Sequence, residues 1–212
     1  MTYFSNLNNL GTGVARLIGV ALVGASLFGC AAVKMPPPTA SSGNVEKLRG
    51  AKLAPANTGA FVLAPGKNPA MDRTLGGLRG SSLTPASGSF SLQLKEEIIA
   101  ELKGAGLYDE NSKTLIEAKL TDSMVDAAIG TGTGRLAAIF TVSRDGKNVF
   151  DKEISVEAAW ESSFVGAVAL PAAINQYGFL YKSLTAKLFD DASFRAVMAR
   201  PGGVAANAVQ LK

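Results

Sequence analysis

Phe90, Leu94, Ile98 and Leu102 recur at every fourth position, with Ile99 beside them. That spacing lays one apolar stripe along a helix over residues 89–103. Lys95, Glu96, Glu97 and Glu101 fall on the other side and read as a solvated face, and Gly104 and Gly106 stop the helix. Downstream the period changes from four to two. Ile116, Ala118 and Leu120 alternate with Glu117, Lys119 and Thr121, and Leu136, Ala138, Phe140 and Val142 repeat the pattern. Period two marks strands with one buried face. Asp145 and Gly146 supply a two-residue hairpin turn. On the returning strand Phe150, Ile154, Val156, Ala158 and Trp160 share one side, opposite Asp151, Glu153, Ser155 and Glu157. A second helical stripe, Ile174, Tyr177, Leu180, Tyr181, Leu184 and Leu188, follows Pro171, which suits the first turn of a helix. Asp191 then caps a short third helix through Phe194 and Met198.

Upstream of the first helix the pattern is sparser. Phe61, Val62 and Leu63 make a short strand that Pro65 ends. Residues 64–88 are rich in Gly, Ser and Pro, a stretch long enough to hide a strand near "RTLGGLRG". Residues 30–58 hold three consecutive prolines, 36–38, and then "TASSGN", with a helical turn at "NVEKLRG" capped by Asn44. Proline runs extend and Ser/Gly stretches flex, so this segment reads as a tether with no packed core before about residue 59. The expected fold class is α+β: strand, helix, three-strand antiparallel meander, helix, with the helices on one face of the sheet. The expected division is a signal peptide at 1–29, a tether at 30–58, a folded domain at 59–200 and a tail at 201–212.

The start of the chain adds an address. Residues 1–16 are polar with one charge, Arg16, and the apolar run "LIGVALVGASLFG" follows. At 13 residues it fits a secretory signal and falls short of the roughly 20 that a bilayer-spanning helix needs. It closes on "LFGC", residues 27–30, which resembles the lipobox of bacterial lipoproteins: an aliphatic residue at −3, a small one at −1, then the acceptor cysteine. Phe28 is bulkier than the usual −2 residue, and a single arginine is a thin basic region. The resemblance implies cleavage between Gly29 and Cys30 and acyl chains such as palmitate on Cys30. Two or more chains suffice for stable anchoring. Ala31 stands where Asp would retain a lipoprotein at the inner membrane, so the resemblance implies the periplasmic face of the outer membrane.

Composition narrows the chemistry. The chain has no histidine, which removes Ser-His-Asp and Cys-His catalysis and the common zinc sites. Its one cysteine is Cys30, and neither Ser-x-x-Lys nor Gly-x-Ser-x-Gly occurs. Without Arg16, 20 basic side chains face 17 acidic ones, too even a balance to argue for nucleic acid. "GTGTG", residues 130–134, lacks the Lys-Ser or Lys-Thr of a phosphate loop and reads as a flexible hairpin loop or bulge. Asp122 and Asp126 share a strand face but lie over ~12 Å apart at about 3.3 Å per residue, beyond the roughly 5 to 9.5 Å of glycosidase pairs. No catalytic residue, metal site or cofactor is expected.

Residues 164–174, "FVGAVALPAAI", carry no charge. They are either a buried connection between strand and helix or an exposed apolar patch of the kind that marks a partner or lipid site. Trp160 is expected to be buried and the turn at Phe164 and Val165 exposed, the three together making the candidate partner-binding site.

The runs "LTDSMVDAAIGTGTG", "TVSRDGKNVFDKE" and "WESSFVGAVALPAAINQY" resemble a family of small, uncharacterised proteobacterial outer-membrane lipoproteins, over roughly residues 44–198. More loosely, the layout is similar to auxiliary lipoproteins of envelope transport and assembly complexes, a likeness of architecture that does not fix function. The expected role is a non-catalytic accessory or interaction subunit anchored through Cys30. The alternatives are a periplasmic carrier of a lipid or other apolar ligand and, last, a carboxylate-based enzyme.

Overall fold

The computed structural model describes residues 32–200. Cys30, the signal segment and the tail at 201–212 lie outside the described residues. The elements run β1 (Ala32–Lys34), α1 (Ser42–Gly50), β2 (Asn57–Leu63), β3 (Leu75–Leu78), β4 (Ser81–Thr84), α2 (Phe90–Ala105), β5 (Thr114–Asp126), β6 (Gly130–Arg144), β7 (Lys147–Ser162), α3 (Gly166–Asp190) and α4 (Ala192–Met198), with a 3₁₀ turn at Pro69–Asp72. Strands β2, β5, β6 and β7 form the main sheet in that order, and β1, β4 and β3 form a smaller one. The meander β5–β6–β7 is antiparallel, while β2 lies parallel to β5. The fold is α+β, with strand, helix, meander and helix in the expected sequence.

The stripes find each other across one face of the main sheet. Phe90, Leu94, Ile98 and Leu102 of α2 and Tyr177, Leu180, Tyr181, Leu184 and Leu188 of α3 are buried against Ile116, Ala118, Leu120, Leu136, Ala138 and Phe140. Ser89 caps α2 by accepting from Leu92 N–H at 3.0 Å, and Asp191 caps α4 by accepting from Ser193 and Phe194 N–H. Asp145 and Gly146 both hold positive φ, 49° and 77°, as a type I′ hairpin requires.

A β-bulge at Thr121 shifts the pairing between Leu120 and Asp122. Before it Ile116, Ala118 and Leu120 face the helices; after it Ser123 and Val125 do. Asp122 and Asp126 therefore share the open face, where Asp122 pairs with Arg135 at 2.5 Å.

Three expectations about the elements need correction, and one beside them holds. The glycine-rich run is no loop: residues 130–134 open β6, and the turn lies at residues 127–129. A Cβ on Gly132 would sit 2.4 Å from the Trp160 ring and one on Gly134 2.9 Å from Leu180, so the glycines make room for the indole and for α3. Helix α3 begins at Gly166, five residues before Pro171, which lies inside it on the exposed side. Pro171 costs the Ala167 carbonyl its helical donor, a loss water can offset on that side. The loop at 64–88 holds the 3₁₀ turn and the β3–β4 hairpin, the hidden strand falling where "RTLGGLRG" placed it.

The third correction concerns the start of the described chain. Residues 32–58 are not a tether: β1 pairs with β4, and Met35, Val45, Leu48, Leu53 and Ala56 are buried. A few apolar residues at helical spacing suffice once buried hydrogen bonds hold the polar remainder.

Candidate interaction site

Arg79 sits in the turn between β3 and β4 with φ at 51°, and its guanidinium gathers three turns at one end of the molecule. Nε donates to Ala127 O at 2.6 Å, Nη1 to Phe164 O at 2.9 Å, and Nη2 to Ser163 O at 2.5 Å and Ser162 Oγ at 3.1 Å. The fork geometry of arginine suits such convergent acceptors. The clasp fixes the β5–β6 turn beside the junction of β7 and α3, where apolar side chains stand in solvent. Phe164 is 78% exposed, Ile129 72%, Val168 58% and Val165 41%. Ile129, Phe164 and Val168 line one shallow depression of about 560 Å³ with Ala169 and Ala172, and Glu161 is the carboxylate on its lining. Of the two readings of residues 164–174, the exposed one describes their beginning, while Ala169 and Ala173 pack inward.

The expected site residues thus separate. Phe164 and Val165 lie together in the exposed cluster. Trp160 is half-buried, packs against the core and lies across Gly132, so it supports the sheet and does not join the cluster. Its indole N–H is buried with no hydrogen-bond partner among the described residues. Ile129 and Val168 were missed. Ile129 is a single large apolar residue in a turn, and only the register of β6 and β7, which pairs Gly130 with Ser162, brings it beside Phe164.

A second region of interest lies between residues 35–39, α2 and α3. Glu97 and Glu101, expected on a solvated face, are 3% and 0% exposed because α1 and the proline run cover them. Glu101 accepts from Ser41 N–H at 3.1 Å on both oxygens and from Asn44 Nδ2 at 3.0 Å. The same amide reaches Lys182 O and Thr185 Oγ1, both at 3.1 Å. Asn44 is therefore a buried clamp inside α1 and not its cap. Lys182 Nζ lies 3.3 Å from Glu97 Oε1 and also donates to Thr39 O. Burial pushes the Glu97 carboxyl up to about 7, against the opposing pull of Lys182. Burial also raises Glu101, and the Ser41 N–H and Asn44 amide pull it back. A cleft of about 420 Å³ opens here, walled by Met35, Pro36–38, Ile174, Phe179 and Tyr181, with Gln93, Glu97 and Lys182 in its lining.

The remaining shifted groups serve the fold. Burial pushes Tyr177 up to about 12 and Tyr181 well above its ordinary value. Tyr177 shares a hydrogen bond with Ser123 at 2.5 Å, and Tyr181 donates to Phe90 O. No helix among the described residues is long and apolar enough to cross a membrane, and they hold no cluster of three metal-ligating side chains.

No family model and no curated protein sequence matches the chain. Among solved structures, the chain is similar to a DUF330 protein from Xanthomonas campestris at 14% identity and a TM-score of 0.46, over 79% of this chain and 97% of that one. A putative lipoprotein from Caulobacter crescentus overlaps at 10% identity and a TM-score of 0.39, over 74% and 96%. A minor lipoprotein from Acinetobacter baumannii overlaps at 13% and 0.33, over 69% and 96%. Overlaps this partial leave the functional reading to the residues themselves.

Proposed function

We propose that this chain is a bacterial envelope lipoprotein, cleaved before Cys30 and held by lipid at the periplasmic face of the outer membrane, whose domain is a non-catalytic interaction module. The anchor rests on "LFGC" at residues 27–30 after an apolar run of signal length. The interaction role rests on one observation: Ile129, Phe164, Val165 and Val168 stand exposed together at an end that Arg79 holds rigid. Clustered exposed apolar side chains mark contact surfaces, whereas scattered ones do not. The non-catalytic reading is supported by the occupation of the shifted groups. Glu97, Glu101, Tyr177 and Tyr181 are each spent on contacts that join elements of the fold.

Replacing Cys30 with Ser tests the anchor. The variant should lose incorporation of labelled fatty acid and leave the membrane fraction; a variant still labelled and still membrane-bound would contradict the reading. Cross-linking in the native envelope should capture a partner, lipid or protein, at this cluster, and exhaustive cross-linking that captures neither would remove the interaction role.

The cleft beside Phe179 favours a second reading, a carrier of an apolar ligand, because Met35, the prolines and Ile174 offer it an apolar wall. Organic extraction of the purified protein should then release a ligand; an empty extract sets the carrier aside.

A further inference from the structure

The described chain starts at the end of the molecule that carries the apolar cluster. β1 runs parallel to β4, with Ala32 beside Ser82 and Lys34 beside Thr84. β4 begins just after the turn at Arg79 and Gly80, and Arg79 grips Ala127, Ser163 and Phe164. From Ala32 the chain runs away from that turn, so the residues before Ala32 connect at the turn's end. Cys30 is two residues upstream of Ala32, and two residues of chain span at most about 7 Å.

We infer that this end of the domain lies against the bilayer and that Ile129, Phe164, Val165 and Val168 enter the interfacial zone of the leaflet holding the Cys30 anchor. The inference rests on the reading of Cys30 as lipidated. Two observations favour lipid over protein as the occupant. A leash of about 7 Å is shorter than the roughly 10 Å diameter of a single helix, so no folded partner fits between this end and the membrane. Apolar faces of interfacial proteins sink about 5–10 Å into the headgroup boundary, a depth that side chains on turns can reach. The Arg79 charge is met by backbone carbonyls of the same turns and does not oppose the contact. Glu161 stays at the rim, where headgroups and water can hold it.

The test uses the mature lipidated protein in vesicles of phosphatidylethanolamine and phosphatidylglycerol, with a nitrobenzoxadiazole fluorophore on Phe164→Cys or Ile129→Cys. Val62→Cys, on the open face of the sheet, is the reference. Fatty-acid labelling of the same preparations is read first. With label present, emission at positions 164 and 129 should be blue-shifted and strongly quenched by nitroxide-bearing lipids, while position 62 stays water-like. Label present with all three positions equally water-like overturns the membrane contact and leaves the anchor standing. Protection at 164 and 129 in native envelopes but not in vesicles also overturns it, by assigning the cluster to a protein. Absence of label on Cys30 defeats the anchor, and this inference with it.

Discussion

Residues 35–53 and residues 164–174 invert each other. The first segment is rich in Pro, Ser, Gly and charge, yet it buries Met35, Asn44, Val45, Leu48 and Leu53 and covers two carboxylates of α2. The second has no charged residue, yet Phe164, Val165 and Val168 project into solvent. Segment composition fails in both because burial is decided side chain by side chain. The first segment needs few apolar residues because Asn44 and Ser41 satisfy Glu101, and the Thr39 carbonyl helps hold Lys182. The second must turn the chain from the end of β7 into α3, and a turn at a sheet's edge has core on one side only. Residues 32–58, which read as a spacer, are folded, and the uncharged segment exposes its beginning while Ala169 and Ala173 pack inward.

Substitutions can break this contrast, starting with the largest effect. Leu48→Asp should place an unpaired charge in the core and cost more than about 4 kcal/mol, read as loss of the thermal transition. A folded Leu48→Asp protein would return residues 35–53 to the status of a tether. Next comes the pH dependence of Glu97, whose carboxyl titrates near 7 in the fold against 4.5 when free. The unfolded chain loses that proton first, so the fold is favoured fully below about pH 4.5 and loses ground as pH rises to about 7. The loss is about 3 kcal/mol at roughly 1.4 kcal/mol per unit. Glu101, also raised, acts with the same sign. Glu97→Gln should flatten most of the slope in denaturant titrations across that range; an unchanged slope would mean that Glu97 is solvated. Asn44→Ala should cost about 2 kcal/mol, because it strips a buried carboxylate of one donor; a change below about 0.5 kcal/mol would show that α1 is loosely docked. The smallest effect belongs to the other segment. Phe164→Asp should leave the melting temperature nearly unchanged, within about 0.5 kcal/mol, as surface substitutions do. An unfolded Phe164→Asp protein would make that turn part of the core.

Periodicity carried the core of the fold. The stripes of α2 and α3, the alternation in β5 to β7 and the turn at Asp145 were legible because each repeats one spacing over several turns or strand pairs. Non-repeating features were not. The pairing of β1 with β4 depends on a partner some 50 positions away, and three residues carry no period. Asp122 and Asp126 could be placed on one face, but the bulge at Thr121 that puts them on the open one leaves no local mark. Half of the apolar cluster was visible at Phe164 and Val165. Ile129 could be added only once the sheet register was known, and Arg79, which holds the turns together, is one arginine among 21 basic residues.

The short reach of the proposed Cys30 anchor depends on β1 and Met35 being docked on β4, so amide hydrogen exchange of Met35, which donates to Thr84 O at 2.8 Å, together with that of α1, tests the account most directly. The amides of Met35 and of Val45 to Leu48 should be protected far beyond free-chain rates, like those in the middle of α2, since all are tied to the core. Exchange of Met35 and α1 at free-chain rates while α2 stays protected would contradict the account, restore residues 32–58 as a tether and remove the ground for the proposed membrane contact.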